Sequence, residues 1–268
     1  METSILVSLT ALAVLALGMS LLWVWQRRQG DAGWVDLVWC GSIGVLGLAQ
    51  AGAGEGWIGR RVLVAVLVLI WSLRLSWHLG VRLRQGPEDG RYRALREEWG
   101  ESFQSKLFWF YQAQGVLSVL LALPFGLLSA APETGWRVWD LLALLVFLVS
   151  IVGESVSDAQ LAAWRSSPEN RGRTCRTGLW AWSRHPNYFF EWMHWLAYPL
   201  IGVGLAWGWT LWFVPALMLV LVLFVTGIPL TEEQALRSRG EDYRAYQRET
   251  NAFFPGPPRR RARLTQPS

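Results

Sequence analysis

The stretch at residues 4–25, SILVSLTALAVLALGMSLLWVW, decides the fold class of this chain. It contains no charged side chain, and about 20 apolar residues in a helix are enough to cross the hydrocarbon core of a bilayer. No basic residue precedes the run, it exceeds the length of a signal-peptide core, and no small-residue cleavage site follows it. We therefore predict that this segment is a retained first transmembrane helix.

Further apolar runs follow along the chain, in which hydrophobic residues make up 52% of 268 positions. These residues are gathered into long runs rather than spread at amphipathic spacing, which is typical of membrane spans. The predicted spans lie near residues 4–25, 34–53, 61–79, 113–131, 138–157, 188–206 and 209–229. The sequence therefore predicts an all-α polytopic membrane protein with seven transmembrane helices.

The basic residues predict the orientation of these spans, because cytoplasmic loops carry an excess of arginine and lysine. Placing the C-terminus in the cytoplasm leaves three arginines on the outer side: Arg60, Arg61 and Arg137. We expect a protein of the bacterial inner membrane, with one domain over residues 1–268. Residues 254–268 are predicted to be a flexible tail, rich in proline and arginine, that contacts anionic lipids.

Several classes of site are made improbable by the composition. Two cysteines, Cys40 and Cys175, are too few for a disulfide framework or a metal cluster. The histidines at 78, 185 and 194 lack the spacing of metal ligands. The basic residues are 24 arginines and a single lysine, which suits bidentate contacts to phosphate or carboxylate. We therefore expect membrane lipids as partners, and neither metal nor nucleic acid.

Ionisable side chains inside the predicted spans are candidates for chemistry, because they are costly to place in a membrane. Asp36 lies at the start of the second span, and Arg74 and His78 lie four residues apart near the end of the third. Residues four apart share a helix face. Two other interpretations stay open at this point: a snorkelling pair at the interface for Arg74 and His78, and a dipole-stabilising acid for Asp36.

The motif GLWAWSRHPNYFFE, at residues 178–191, places several polar side chains where an apolar helix begins. Pro186 suits a first helical turn, and Asn187 and Glu191 then lie four residues apart on one face. Polar groups at a membrane boundary point to a ligand. A capped membrane helix with a snorkelling arginine and a buried histidine is the structural alternative.

An arginine-rich loop precedes this motif, and an acidic pair follows the last span. Arginine forks match phosphate oxygens, so the loop can wrap a multiply charged anion, although inside loops are also basic for reasons of topology. The loop arginines are Arg165, Arg171, Arg173, Arg176 and Arg184. Glu232 and Glu233 could pair with them, hold ribose hydroxyls, or belong to a salt-bridged helix face.

Taken in order, the motif at 178–191, a final span, TEE at 231–233 and EDYRAYQRETNAFFPG at 241–256 resemble the membrane steroid 5-alpha-reductase superfamily, specifically its bacterial branch. The resemblance covers most of the chain and is clearest over residues 153–255. It implies a seven-span enzyme that transfers hydride from NADPH to the β carbon of a lipophilic enone, with a 3-oxo-4-ene steroid as the reference substrate and a 5α-reduced product. It also implies cytoplasmic loops that cover a cofactor cavity.

The resemblance carries specific residues with it. The positions that match cofactor-holding residues of the family are Asp158, Arg165, Arg173, Asn187 and Glu191. Further candidates for cofactor binding lie in the matching motifs: His185, Tyr188, Glu232, Glu233 and Tyr243. The loop arginines Arg171 and Arg176 complete the candidate cofactor site.

The catalytic candidates are Asp36, His78 and Arg74. In the family, a glutamate and a tyrosine grip the substrate carbonyl; Asp36 falls close to the glutamate position, and Trp71 stands at the tyrosine position. Hydride addition builds enolate charge on the carbonyl oxygen, so a hydrogen-bond donor is needed there. We hypothesise that protonated Asp36 and His78 supply it.

Two rival interpretations stay open. Isoprenylcysteine-type membrane methyltransferases, which use S-adenosylmethionine, share an RHP-Tyr-Glu arrangement at a membrane boundary. The five loop arginines favour a cofactor with several phosphates over S-adenosylmethionine, which carries none. A non-catalytic membrane scaffold is the third interpretation, and it predicts that no nucleotide stabilises the protein.

Overall fold

The computed structural model describes residues 2–85 and 88–259, and every regular element within them is helical. The chain divides into two compact units. The first unit comprises Met1–Leu144 and Ala197–Val214, and the second comprises Leu145–Leu196 and Pro215–Ser268. The predicted flexible tail falls outside the described residues from position 260 onward. The all-α prediction is thus confirmed for the described chain.

The first unit is built mainly from long helices. They are α1 (Glu2–Gln29), α2 (Trp34–Ala53), α3 (Ile58–Gln85), α4 (Gly90–Trp99) and α5 (Phe103–Ala130), together with the short α8 (Ala197–Gly202). Helices α2 and α3 pack closely because small residues face each other: a Cβ atom at Gly44 would lie 2.2 Å from Ser72 Oγ. Ser72 also donates a hydrogen bond to the Cys40 carbonyl, at 3.1 Å.

Helix α4 is amphipathic and buries its apolar side. Tyr92 and Leu95 join Phe103 and Leu107 of α5 in one hydrophobic cluster. Asp89 caps the helix by accepting the Arg91 amide at 2.9 Å, as aspartate commonly does at a helix start. The helix is therefore fixed against the α5 side of the first unit rather than extended into solvent.

Shorter helices build most of the second unit. Helix α6 (Val138–Ser166) begins in the first unit and continues into the second, where α7 (Pro186–Trp195), α10 (Ile228–Arg239) and α11 (Glu241–Glu249) follow, and α9 (Phe213–Val220) begins just before the division at Pro215. A π-helical turn, Leu221–Val225, separates α9 from α10. Such turns interrupt regular hydrogen bonding and are often found near functional sites.

Six helical segments of the described chain are long and apolar enough to span a membrane, as expected for an integral membrane protein. They cover the predicted spans other than 188–206. That stretch forms α7 and α8, neither long enough to cross alone. Pro199 lies inside it and lacks the N–H that a continuous helix would use. Helix α8 ends at Gly202, and farther along Trp207 adopts a left-handed conformation, with φ of 62°, just before a 3₁₀ turn at Gly208–Trp212.

Candidate functional site

The motif at residues 178–191, called the RHP motif below, begins with a tight turn that is hydrogen-bonded to α6. A 3₁₀ turn, Gly178–Ala181, places Trp180 so that its indole Nε1 donates to the Ser157 carbonyl at 2.9 Å. Pro186 occupies the first turn of α7, where its missing N–H costs nothing. Ser183 accepts the His185 amide at 3.1 Å. The backbone through the motif is therefore held on both sides of Arg184.

Arg184 is largely buried and joins three segments of the second unit through its hydrogen bonds, an arrangement called the Arg184 clamp below. Its Nε donates to Glu232 Oε1 at 2.6 Å, and its Nη1 donates to the carbonyls of Gln247 and Thr250 at 3.0 and 2.6 Å. Only 11% of the side chain is exposed. A buried guanidinium with this set of acceptors is committed to structure, so Arg184 is not a free phosphate-binding cation.

Glu232 is the centre of the cluster. Besides Arg184, its Oε1 contacts His185 Nε2 at 3.2 Å and the Tyr243 hydroxyl at 3.4 Å, and its Oε2 accepts Gln247 Nε2 at 2.8 Å. Pairing with a loop arginine, one of the roles predicted for this acid, is thus observed. Burial raises the pKa of Tyr243 well above its ordinary value, so its hydroxyl stays protonated and can donate.

His185 is buried and neutral. Burial lowers its pKa below the ordinary value of 6.5, because an imidazolium would lose its hydration, and the hydrogen bond to Glu232 offsets only part of this effect. The ring stacks on Tyr188, with centroids 5.5 Å apart and planes 10° from parallel. Tyr188 is itself fixed through its hydroxyl, which lies 2.9 Å from Thr231 Oγ1. The imidazole therefore has a single, well-defined orientation.

The segment at 250–256, called the strap below, runs along the motif. The Arg184 amide donates to the Asn251 carbonyl at 2.8 Å, and Ser183 Oγ donates to the Phe253 carbonyl, also at 2.8 Å. The Gly256 amide donates to the Trp182 carbonyl at 2.9 Å. The strap thus fixes three consecutive residues before α7 through the backbone.

The loop arginines divide into two groups. Arg176 is paired, with Nη2 at 2.9 Å from Asp242 Oδ1 and Nη1 at 3.1 Å from Glu249 Oε2. Burial tends to raise the pKa of Asp242, but hydrogen bonds from Thr174 and the charge of Arg176 hold it below the ordinary value. Three others are exposed: Arg165, Arg171 and Arg173. Within residues 2–85 and 88–259, neither Arg171 nor Arg173 forms an ion pair.

The remaining cofactor candidates lie on α6, α7 and α10. Asn187 Nδ2 donates to Asp158 Oδ1 at 3.3 Å, which joins two candidates directly. Glu191 accepts Trp195 Nε1 at 3.4 Å, one turn farther along the helix. Glu233 lies apart from these contacts on the exposed face of α10, paired with Arg237 at 2.6 Å.

The catalytic candidates belong to the first unit. Asp36, in the first turn of α2, accepts the Tyr92 hydroxyl at 2.7 Å and Arg91 Nη2 at 2.8 Å. Both of its oxygens therefore act as acceptors, which fits a carboxylate held in place by α4. Arg74 and His78 lie in the second half of α3 and are both half-buried.

Sequence reasoning missed several members of these clusters. Tyr92 and Arg91 were not linked to Asp36, and Gln247 was not linked to Glu232. Tyr246 was also missed: its buried hydroxyl donates to the Trp180 carbonyl. One signal was available, because Tyr243, Tyr246 and Gln247 share a helical face in EDYRAYQ. In the part of the chain that the structure describes, no group of three or more potential ligands could hold a metal ion.

Comparisons with known proteins place the chain among uncharacterized relatives. Residues 22–250 match a family model described as "Protein of unknown function (DUF1295)". An uncharacterized protein of Schizosaccharomyces pombe is 27% identical over 259 residues, covering 87% of this chain and 74% of the yeast protein. No solved structure matches the chain significantly.

Proposed function

Because the chain belongs to the DUF1295 family, which is related to steroid 5-alpha-reductase-like proteins, we propose that it is an NADPH-dependent membrane reductase of lipophilic enones. A 3-oxo-4-ene steroid is the reference substrate, and a 5α-reduced steroid is the product. The cofactor, when bound, supplies the hydride. The proposal places seven crossings in a bacterial inner membrane, with the cofactor loops and the C-terminus in the cytoplasm.

The observation that carries the proposal is that some loop arginines form ion pairs within the protein while others are exposed. Arg184 and Arg176 hold the loop in shape through buried or half-buried ion pairs. Arg171 and Arg173 are exposed on the same loop and have no ion-pair partner among the described residues. Cations left free on a braced loop suit phosphate oxygens, which NADPH offers and S-adenosylmethionine lacks.

Polar residues of α6 and α7 could contact the uncharged hydroxyl and amide groups of the same cofactor. Asp158 and Asn187 form a hydrogen-bonded pair, and together they present carboxylate and amide groups that suit hydroxyl and amide contacts. The family resemblance assigns both residues to the cofactor. Arg176, in contrast, would not contact the cofactor directly. It donates to Asp242 and Glu249 and so holds the conformation of the loop.

In this proposal, residues of the first unit supply the hydrogen-bond donor to the substrate carbonyl oxygen. Asp36 accepts from Tyr92 and Arg91, so its geometry favours positioning the Tyr92 hydroxyl over donating a proton itself. His78 stays the candidate donor to the developing enolate. Full enone reduction by an Asp36→Asn/His78→Ala double variant would exclude both residues from this step.

Thermal stability of the purified protein with NADPH, NADH or S-adenosylmethionine tests the proposal. A ligand that binds only the native state raises its stability by RT ln(1 + [L]/Kd), and we expect the largest rise with NADPH. An Arg171→Gln/Arg173→Gln variant should lose the preference for NADPH over NADH. Arg237→Gln is the matched control, since Arg237 is also exposed but is paired with Glu233.

The same measurement separates the rival functions. Stabilisation by S-adenosylmethionine alone would favour the methyltransferase, whose RHP-Tyr-Glu arrangement the chain shares. No stabilisation by any of the three ligands would favour a scaffold. Reduction of a steroid enone by the NADPH-stabilised protein would complete the assignment.

A further inference from the structure

His185 has one ring nitrogen bonded to Glu232 and one that accepts no hydrogen bond from the described part of the chain. Nε2 lies 3.2 Å from Glu232 Oε1. That oxygen also accepts the Arg184 guanidinium at 2.6 Å, as a carboxylate does. Because a carboxylate can only accept, the hydrogen of the His185 contact must sit on Nε2. Within residues 2–85 and 88–259, no hydrogen bond reaches Nδ1.

Exchanging the two ring nitrogens by a flip of the imidazole would break the contact between Nε2 and Glu232, and the turning ring would have to leave its stack on Tyr188 on the way. Its plane is stacked on Tyr188, and Tyr188 is held by Thr231. Its backbone amide is held by Ser183 Oγ, which the strap fixes in turn. A histidine with one nitrogen bound to a carboxylate and a fixed ring has a defined tautomer.

The ring is also kept uncharged. It is 97% buried, with only 3% of the residue exposed, and the nearby charges of Arg184 and Arg239 oppose a second positive charge. Glu232, the carboxylate that contacts the ring, is already shared with Arg184. A neutral ring protonated on Nε2 leaves a bare lone pair on Nδ1, which is an acceptor.

We propose that His185 Nδ1 is a ligand-binding acceptor that reads an uncharged N–H or O–H donor of the bound molecule. This inference rests on the proposed function in one respect, that the donor belongs to NADPH, which offers hydroxyl and carboxamide donors. Two kinds of contact would then recognise NADPH: the exposed arginines contact its anionic groups, and His185 contacts an uncharged polar group. Anionic oxygen has no proton to give and would meet a lone pair at Nδ1.

Nitrogen NMR of the full-length protein with ¹⁵N-labelled histidine tests the tautomer without any ligand. The His185 signals are assigned by their loss in His185→Gln. We expect a protonated Nε2 and an unprotonated Nδ1 at neutral pH, unchanged in Glu233→Gln and altered in Glu232→Gln. Protonation on Nδ1, or on both nitrogens, would overturn the inference.

Addition of NADPH tests the acceptor role. A hydrogen bond to Nδ1 should move its resonance while Nε2 keeps its proton. If NADPH stabilises the protein but leaves Nδ1 unmoved, the acceptor role is wrong and the reductase proposal stands. If NADPH does not bind, the reductase proposal fails; S-adenosylmethionine, whose ribose hydroxyls are donors, is then added to the same sample, and an unmoved Nδ1 overturns the inference.

Discussion

At the scale of single residues, the two neighbouring glutamates of α10 offer the sharpest comparison. Glu232 neutralises Arg184, whose side chain is 11% exposed, whereas Glu233 and its partner Arg237 are both 53% exposed. Removing one partner of a buried ion pair leaves an uncompensated charge, at a cost of about 3 kcal/mol. An exposed pair on a helix contributes roughly 0.5 kcal/mol or less.

We therefore expect Glu232→Gln to lower the unfolding temperature by several degrees and Glu233→Gln to leave it almost unchanged. Thermal unfolding of both variants in one detergent measures this difference. Equal shifts in the two variants would show that the Arg184 clamp is not important for stability.

The protonation of His185 makes a separate prediction about pH. Its pKa in the fold lies below the ordinary 6.5, so the unfolded chain takes up a proton more readily than the native protein. The stability contribution is fully present above about pH 6.5 and is lost as the pH falls below that value. The lowered pKa of Asp242 acts in the same direction, but only in the more acid range near and below 3.8.

Unfolding temperatures measured at pH 7.5, 6.5 and 5.5 should fall toward acid pH in the parent protein and fall less in His185→Gln. Glutamine at this position cannot titrate but still offers an N–H to Glu232. Identical pH dependence in the two proteins would contradict a buried, neutral His185.

At the scale of structural elements, the strap is expected to support the whole RHP motif. Its backbone contacts with Arg184, Ser183 and Trp182 are worth roughly 1 kcal/mol each. Phe253 is 4% exposed and adds about 2 kcal/mol through its packing. Ending the chain after residue 249 should therefore destabilise the protein strongly and abolish stabilisation by NADPH.

Ending the chain after residue 259 is the control for this prediction. It removes residues 260–268, including three of the four arginines of the C-terminal sequence, but keeps every strap contact described above. Melting temperature and NADPH binding should both stay close to those of the full chain. Equal losses in the two shortened proteins would assign the effect to the basic tail instead of the strap.

The elements that sequence predicted well are those with a local signal. Uninterrupted apolar runs predicted six spans that coincide with the long apolar segments of the described chain, and Pro186 predicted the start of α7. Pairings between distant positions had no such signal: Asp36 with Tyr92 is separated by 56 residues, and Arg184 with Glu232 by 48. The sequence alone could also attribute the loop arginines to the preference for basic residues in cytoplasmic loops. The ion pairs seen in the structure are what distinguish Arg176 and Arg184 from Arg171 and Arg173.

The break at 188–206 shows the same limit within one element. Average hydrophobicity predicted a continuous span, but the effect of Pro199 and the glycines that follow depends on backbone contacts. Gly208 approaches Gly202 so closely that a Cβ atom would lie 1.9 Å from the Gly202 carbonyl oxygen. This close approach requires glycine at 208 and a chain that folds back, which an apolar average does not reveal.

At the scale of the whole molecule, one contact constrains how many times the chain crosses the membrane. Arg184 and Glu232 are bonded at 2.6 Å, so both lie on the same side of the bilayer. The apolar segment Gly208–Arg239 is long enough to cross once between them. In the seven-crossing arrangement proposed above, the chain would cross a second time between residues 185 and 207, through α7 and α8.

We therefore predict an odd number of crossings, with the two ends of the chain on opposite sides of the membrane. Among the described residues, five helices long and apolar enough to span a membrane precede Arg184, and the two crossings proposed after it would make seven. A fluorescent protein fused to the C-terminus should mature in the cytoplasm, and a cysteine introduced at Thr3 should react with an impermeant thiol reagent added outside intact cells. Protection of that cysteine together with C-terminal fluorescence would imply an even number of crossings, and would require the Arg184–Glu232 ion pair to be absent in the membrane.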